Sequence, residues 1–303
     1  MKYLITGANG MLASALCPIL TERGNEVIST DINAPEMNAL DVRDSEGVMS
    51  FFRKNRPEVV MHLAAATDMD MCQKNPEDTY AINARGVRNV ACACKEVSAE
   101  MVYVSTGAVF DGKKDGPYIE SDRTNPLNIY GETKLAGEHF LQDILKKHYI
   151  FRAGWIIGGF EKDIKFVGKT LELLRTRKEL NMVSDRFGSP TCVEDFSRNM
   201  LKIVEAGLYG LYHLVNKGGC SRYDMAKKIV NFLGRDDIKI TPIRNIDYPS
   251  VTPRARTEIM TNHKLQEAGM DDMVSWEKAL HNYLEKLKSK KLLDRVMLGD
   301  GVA

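Results

Sequence analysis

A glycine-rich turn between an apolar strand and a helix constrains the fold of this chain more than any other stretch of its sequence. Lys2 to Thr6 is predicted to form a strand that runs directly into Thr6-Gly7-Ala8-Asn9-Gly10, and a helical pattern follows from Met11 to Glu22. A second strand is predicted from Glu26 to Ile32. Strand, turn, helix and strand in this order predict a βαβ unit.

The residue types in this unit are those that a dinucleotide requires. Gly7 permits the tight turn, Gly10 lets the backbone approach a pyrophosphate, and Ala13 is small enough for close packing of helix against strand. The pyrophosphate would bind at the helix N-terminus, where unpaired N–H groups favour an anion. Asp31, 21 residues after Gly10, is placed to accept hydrogen bonds from the adenosine ribose.

Alternating strands and helices continue beyond this unit to about residue 155. The further predicted helices and strands of this region are residues 44–54, 59–63, 76–97, 101–105, 130–147 and 149–152. Apolar strands that alternate with helices predict an α/β fold with a doubly wound parallel sheet. Ligands bind such a sheet at the carboxyl ends of its strands.

The second half of the chain is less regular and is predicted to form a smaller C-terminal lobe. We assign residues 1–155 to a dinucleotide-binding domain, rejoined at about residues 191–217 by a helix and a strand that returns to the sheet. Residues 156–190 and 218–287 are assigned to a substrate-binding lobe, and residues 288–303 to a charged tail.

Composition argues against several classes of partner. With 42 Lys and Arg against 41 Asp and Glu, the formal net charge of +1 gives no overall field that favours nucleic acid or an anionic membrane. No apolar run approaches the length of a membrane span, so we expect a cytoplasmic protein. The six cysteines lack C-x-x-C spacing, and we expect unpaired thiols and no bound metal.

A tyrosine and a lysine four residues apart, Tyr130 and Lys134, project from one face of a predicted helix. A free phenol has a pKa of about 10, and a neighbouring ammonium is expected to lower it. Together with Thr106 at the end of an upstream strand, the pair indicates hydride transfer at a carbon that bears oxygen. Tyr130 would act as general acid, Thr106 would orient the carbonyl oxygen, and Lys134 would also bind the nicotinamide ribose.

The residues expected to contact a nicotinamide dinucleotide lie at the glycine-rich turn, at the carboxyl ends of the strands and on the Tyr130 helix. They are Gly7, Asn9, Gly10, Met11, Leu12, Asp31, Asp41, Val42, Leu63, Ala64, Ala65, Ala66, Tyr130, Lys134 and Ala153. The Asp31 carboxylate would repel the extra phosphate of NADP at a cost on the order of 4 kcal/mol per charge pair, so NAD(H) is favoured. NADP(H) stays open, because Arg43 is a candidate to relieve that repulsion.

Seven stretches of the sequence match the motifs of a known family. They are Thr6 to Gly10, Ala65 to Asp70, Ser105-Thr106, Val109 to Gly112, Asn125 to Glu138, Arg152 with Trp155, and Phe187 to Thr191. From Tyr3 to about Leu287, the chain resembles the extended short-chain dehydrogenases/reductases that act on nucleotide sugars. Within them, it resembles the dTDP-4-dehydrorhamnose reductase group.

The resemblance implies a Rossmann fold and a catalytic triad of Thr106, Tyr130 and Lys134. It implies NAD(P)H-dependent reduction of a nucleotide-linked 4-keto-6-deoxy sugar, dTDP-4-dehydro-L-rhamnose to dTDP-L-rhamnose. The substrate side falls on Met69, Trp155 and the loop around Arg254. In that loop, Arg254 and Arg256 are candidates to bind the substrate diphosphate.

Three departures from the family pattern bear on the substrate. Gly107-Ala108 stands where the family commonly has Asp-Tyr and leaves a smaller, less polar wall beside Thr106. Arg256 and Glu258 change the later Arg-containing loop. Ala15 replaces an acidic residue that some members use for magnesium, which argues against a metal. The nucleotide and the sugar therefore stay open.

Two alternative functions remain on the same fold. A nucleotide-sugar 4-epimerase needs only the Thr, the Tyr, the Lys and a retained NAD. A non-catalytic regulatory subunit needs none of these three side chains. A dehydratase is disfavoured, because water elimination needs an Asp-Glu pair where this chain has Gly107-Ala108. A homodimer also stays open.

Overall fold

The computed structural model describes residues 1–33, 36–248 and 250–294. The strands and α-helices in these ranges are, in chain order, β1 (Lys2–Thr6), α1 (Met11–Glu22), β2 (Glu26–Asp31), β3 (Asn38–Ala39), α2 (Ser45–Asn55), β4 (Val59–His62), α3 (Met69–Lys74), α4 (Pro76–Tyr80), α5 (Gly86–Val97), β5 (Glu100–Thr106), α6 (Ile129–Ile144), β6 (His148–Ala153), β7 (Trp155–Ile157), α7 (Phe166–Leu173), β8 (Glu179–Val183), β9 (Phe187–Gly188), β10 (Pro190–Cys192), α8 (Val193–Glu205), β11 (Gly210–His213), β12 (Cys220–Ser221), α9 (Arg222–Leu233), β13 (Lys239–Ile243), β14 (Thr257–Glu258), α10 (His263–Glu267) and α11 (Trp276–Ser289).

Seven parallel strands form the main sheet in the order β11-β6-β5-β4-β1-β2-β3. β1 lies between β2 and β4, so the strand order reverses beside it and the crossover helices cover both faces of the sheet. The predicted fold class, a doubly wound parallel sheet, is confirmed. The reversal places the end of β1, and with it the glycine-rich turn, where such sheets bind ligands.

Two apolar layers enclose this sheet. On one face, α1 and α8 bury residues such as Leu16 and Phe196 against the strands. On the other, α2, α5 and α6 bury Phe52, Val90 and Leu141. The apolar side of each helix faces the sheet and its polar side faces outward, as expected for helices that are buried on one side.

A third apolar cluster lies outside the main sheet, among β7, α7, α9 and α11. It includes Trp155, Leu180, Ile229 and Leu284. Smaller sheets accompany it, with strand orders β12-β9-β14, β13-β8 and β10-β7. Between β7 and β11 the chain contributes to this cluster and then returns to pair β11 with β6. The domain boundaries assigned from the sequence stay a prediction.

One predicted helix, residues 76–97, is wrong in detail. It is divided into α4, a π-helical turn at Ala81–Arg85, and α5. The reason is Asn83 in that turn, whose side chain accepts from Ala66 N (2.8 Å) and donates to Ala66 O (2.9 Å) and Thr133 Oγ1 (3.3 Å). A second difference is α3, which was not predicted from the sequence. The Asp68 side chain caps it by accepting from the N–H groups of Asp70 and Met71.

Side chains fix the starts of two helices that matter for the site. The Asn128 side chain accepts from Gly131 N at 2.9 Å at the start of α6 and donates to Pro253 O at 2.9 Å in the later loop. Ser221 and Asp224 form a reciprocal capping box at the start of α9. α6 is therefore anchored both to its own first turn and to the C-terminal half of the chain.

The predicted tail begins inside a helix, because α11 extends to Ser289 and Leu293 is also buried. Residues 295–303 of that predicted tail lie outside the described residues. Across the described ranges, every helix is too short or too polar to cross a lipid bilayer.

Candidate active site

The glycine-rich turn brings its backbone against the strand beside it. Gly7 has φ +70°, and a Cβ there would lie 2.6 Å from Ala64 N. Ala8 N donates to Thr30 O at 3.0 Å, and Gly10 N donates to Gly7 O at 3.1 Å. Within the described part of the chain, no side chain caps the N-terminus of α1. Only glycine fits at position 7, and the turn leaves the first N–H groups of α1 available to an anion.

A cleft of about 390 Å³ runs over this turn and the carboxyl ends of β1, β2 and β4. Nine of the predicted cofactor residues line it: Gly7, Gly10, Asp31, Asp41, Val42, Leu63, Ala64, Ala65 and Ala66. Four other residues, which were not predicted from the sequence, also line it: Ile32, Asn33, Leu40 and Ile82. The position of this cleft, over the glycine-rich turn and the uncapped start of α1, fits a nicotinamide dinucleotide.

Four predicted cofactor residues lie next to this cleft rather than along it. Asn9 donates from its backbone to Asp31 Oδ2 at 3.1 Å, and its side chain accepts from Lys162 Nζ at 2.9 Å. The other three are buried or half-buried: Met11 and Leu12 in the first turn of α1 and Ala153 at the end of β6.

The acidic residues of the cleft have different partners. Asp31 accepts from the backbone N–H groups of Asn9 and Asn33, each at 3.1 Å. Asp41 forms an ion pair with Arg43 at 2.7 Å, and hydrogen bonds from Arg43 hold the pKa of the Asp41 carboxyl below its usual range. Arg43 is therefore engaged with Asp41, and Asp31 has no ion-pair partner among the described residues.

The structure brings together the three residues predicted to be catalytic. Thr106 ends β5, and its Oγ1 accepts from Ala108 N at 3.2 Å. Tyr130 and Lys134 lie in the first two turns of α6, and the Tyr130 phenol is within hydrogen-bonding reach of the Thr106 hydroxyl. The Lys134 Nζ lies 4.2 Å from the centre of the Tyr103 ring.

Burial controls the protonation of this pair, and its effect on the phenol is opposite to the one predicted. Desolvation raises the pKa of Tyr130 to about 12, and the Thr106 hydroxyl only partly offsets it. Desolvation also lowers the pKa of Lys134 to about 7, against the attraction of Glu138. The predicted lowering of the phenol pKa by the ammonium is therefore not found. At neutral pH, Tyr130 holds its proton.

A buried ion pair, which the sequence analysis did not predict, lies one turn beyond Lys134. Glu138 Oε1 accepts from Arg152 Nε at 2.9 Å and from Ser105 Oγ at 2.5 Å, and Glu138 Oε2 accepts from Arg152 Nη2 at 2.7 Å. The side chains are 2% and 5% exposed for Glu138 and Arg152. These bonds fix α6 against β5 and β6 and so position the helix that carries Tyr130.

The predicted substrate residues Met69 and Arg254 lie together. Arg254 Nη1 is 3.8 Å from Met69 Sδ, and Arg254 Nη2 is 3.4 Å from Asp70 Oδ1. Thr252 Oγ1 donates to Met69 O at 3.1 Å and to Asp70 Oδ1 at 2.5 Å. Arg254 Nε is buried with no hydrogen-bond partner among the described residues. The Arg-containing loop therefore docks on the start of α3.

Gly188 and Arg222 both pack closely against the Trp155 ring. A Cβ at Gly188 would lie 2.3 Å from the ring, and the Arg222 guanidinium carbon lies 3.7 Å from the ring centre. Trp155 Nε1 donates to Glu258 Oε2 at 3.3 Å, and Glu258 Oε1 accepts from Arg186 Nη2 at 2.8 Å. Glu258, a departure from the family pattern, thus holds Trp155 in place.

The other predicted substrate residues lie in two environments. Gly107 and Ala108 are buried, Gly107 beside Met260 and Ala108 beside Gly131, where a Cβ would lie 2.3 Å from Ala108 O. Arg256 is exposed and, with Arg254, borders a second cleft of about 620 Å³. Within the ranges that the structure describes, no group of three or more His, Cys, Asp or Glu side chains is placed to hold a metal ion.

Known proteins match this chain along nearly its whole length. The family model described as RmlD substrate binding domain matches residues 1–289. A dTDP-4-dehydrorhamnose reductase of Escherichia coli (strain K12) is 33% identical over 297 residues, which covers 95% of this chain and 98% of that protein.

Two solved structures match the fold as well as the sequence. A crystal structure of a dTDP-4-dehydrorhamnose reductase from Clostridium acetobutylicum is 37% identical, covers 95% of this chain and 100% of that chain, and has a TM-score of 0.90. A crystal structure of the dTDP-4-dehydrorhamnose reductase from Bacillus anthracis, in complex with NADP, is 33% identical to this chain. The match covers 94% of this chain and 100% of that chain, with a TM-score of 0.89. With the family match over residues 1–289, these likenesses show that the chain belongs to the RmlD substrate binding domain family of extended short-chain dehydrogenases/reductases.

Proposed function

We propose that this chain reduces a nucleotide-linked 4-keto-6-deoxy sugar with NAD(P)H, and that its substrate is dTDP-4-dehydro-L-rhamnose. The observation that carries the proposal is the approach of the Tyr130 phenol, which burial keeps protonated, to the Thr106 hydroxyl at the end of β5. Asn83 links this pair to the dinucleotide cleft, since its side chain bonds both Ala66 and Thr133. The similarity to dTDP-4-dehydrorhamnose reductases supports the choice of sugar.

The residues of the site supply the acid for this reaction. A bound nicotinamide supplies a hydride for the carbonyl carbon. Tyr130, whose pKa burial raises to about 12, holds a proton that it can give to the carbonyl oxygen, and Thr106 orients that oxygen. Lys134, on the same face of α6, would stabilise the phenolate left after proton transfer. Gly7, Gly10 and the first turn of α1 would hold the pyrophosphate.

We further propose that NADH is accepted at least as well as NADPH. Asp31 lies in the cleft, where an adenosine 2′-phosphate would meet its carboxylate. Arg43 is already bound to Asp41 through three hydrogen bonds from its side chain, so relieving that repulsion would require breaking them. A preference of the wild type for NADPH by tenfold or more in dissociation constant would defeat this argument.

A panel of 4-keto sugars carrying dTDP, GDP, UDP or CDP, with NADH oxidation followed by absorbance, tests the reaction. Turnover of the dTDP-linked L-lyxo sugar is the expected result. Turnover with another nucleotide alone would reassign the substrate. If none of the sugars is reduced and NAD stays bound through purification, the chain is an epimerase or a non-catalytic subunit instead.

A further inference from the structure

Arg222, which the sequence did not indicate as a site residue, carries a positive charge that has no ion-pair partner among the described residues. Its guanidinium carbon lies 3.7 Å from the centre of the Trp155 ring and 4.6 Å from that of Phe166. Among the described residues, no carboxylate, carbonyl or hydroxyl forms a hydrogen bond or ion pair with its side chain. Aromatic contacts hold the plane of the guanidinium but leave its five N–H donors unused.

The charges around Arg222 do not balance. Arg186 and Arg254 repel the charge of Arg222, and Glu258 attracts it, but Glu258 already pairs with Arg186. Arg254 pairs with a second acid, Asp70. Three cations therefore share two carboxylates. Burial, followed by the charge of Arg186, lowers the pKa of Arg222 to about 9, so the guanidinium still carries its proton at neutral pH.

An uncompensated, half-buried guanidinium is costly unless an anion completes it. The Arg fork matches two oxygens of a phosphate, and stacking on two rings fixes it in advance and so reduces the entropy lost on binding. Trp155, whose ring the Arg222 guanidinium covers, and Arg254, whose charge acts on Arg222, are both residues already predicted on the substrate side. The anion that the site takes is therefore a phosphate of the substrate rather than of the dinucleotide.

We propose that Arg222 binds the diphosphate of the nucleotide sugar, an assignment that rests on the function proposed above. Arg222→Gln should then weaken binding of dTDP about ten- to a hundredfold, the range for loss of a charge-assisted hydrogen bond. Binding of thymidine, which has no phosphate, should stay within twofold of the wild type. The dTDP affinity of Arg222→Lys should lie between those of the wild type and Arg222→Gln, because an ammonium keeps the charge but loses the two-pronged geometry of the guanidinium.

Isothermal titration calorimetry of the full chain measures the dTDP affinity, with NADH at saturation to fill the dinucleotide cleft. The thymidine affinity is measured by competition against dTDP. Arg177→Gln is the matched control, because Arg177 is exposed and its side chain has no partner within the described ranges. Circular dichroism and thermal unfolding establish that each variant folds. The control should bind both ligands as the wild type does.

Several results would overturn the inference. One is a dTDP affinity of Arg222→Gln within twofold of the wild type. Another is an equal loss for dTDP and thymidine, which would mean that Arg222 only supports the Trp155 ring. If Arg222→Gln does not fold, an unchanged dTDP affinity in Arg222→Lys overturns it. A wild type that does not bind dTDP also overturns it. A wild type that binds dTDP but reduces no 4-keto sugar defeats only the proposed reaction.

Discussion

Replacing Glu138 with Gln is expected to destabilise the folded chain by about 3–5 kcal/mol, the range for breaking a buried ion pair by removing one partner. The Glu138 carboxylate accepts three hydrogen bonds, two from Arg152 and one from Ser105. A glutamine has only one oxygen, so in either orientation its amide N–H groups would face a donor of Arg152. Arg152 Nη1 already has no partner among the described residues, and the variant would leave the whole guanidinium without a counter-charge.

Urea unfolding of the wild type and of Glu138→Gln measures this loss of free energy. Glu96→Gln is the matched control, because Glu96 also pairs with an arginine, Arg53, but the two side chains are 47% and 60% exposed. The control should lose less than about 1 kcal/mol. Equal losses in the two variants, or a loss below about 1 kcal/mol for Glu138→Gln, would refute the reasoning that burial makes this pair important.

Three further predictions concern the site. Tyr130→Phe should lower kcat by about 10² to 10⁴ in a stopped-flow or steady-state assay and leave the Kd of NADH nearly unchanged; retention of more than about a tenth of the activity would exclude Tyr130 as the acid. Because burial lowers the pKa of Lys134 from 10.5 to about 7, the folded state binds fewer protons than the unfolded state between those values. The contribution of this residue to the free energy of unfolding therefore rises with pH across that window. Urea unfolding at pH 7 and pH 9 should show a smaller increase of that free energy in Lys134→Met than in the wild type. An equal increase in the two proteins would contradict this assignment. Gly7→Ala should destabilise the chain and abolish binding of NADH. Gly24 has φ +74°, and a Cβ there would meet no described atom within 4 Å, so Gly24→Ala should cost only the backbone strain of about 1 kcal/mol. Similar effects of the two changes would argue against the close approach at Gly7.

The main sheet could be predicted from the sequence because local patterns determine it. Short apolar strands separated by amphipathic helices, and a glycine turn after the first strand, are sufficient to predict a parallel doubly wound sheet. The bounds of α1, Met11–Glu22, agree with the prediction residue for residue, since Gly10 precedes its first residue and Gly24 closely follows its last. The predicted helix over residues 76–97 was wrong where Asn83 bonds a distant backbone segment, because no local pattern encodes such a contact.

Only those parts of the site that lie in a short sequence motif could be predicted. The Tyr130 and Lys134 spacing and the glycine-rich turn are visible in one stretch each. Glu138 and Arg152, 14 residues apart, form an ion pair only through the packing of α6 on β6. Arg222 meets Trp155 across 67 residues of sequence. The pKa of Tyr130 depends on burial, which the sequence does not give, and the predicted direction was wrong for that reason.

The return of β11 to the sheet has a consequence for synthesis on the ribosome. β6 carries three fully buried residues, Tyr149, Ile150 and Phe151, and its outer edge is covered only when β11 pairs with it. Until residues 210–213 leave the exit tunnel, the nascent chain presents an unpaired apolar strand edge of the kind that pairs with other chains. A nascent or truncated chain that stops before residue 210 should therefore aggregate or recruit chaperones, even though every residue of the Thr106, Tyr130 and Lys134 group has already been made.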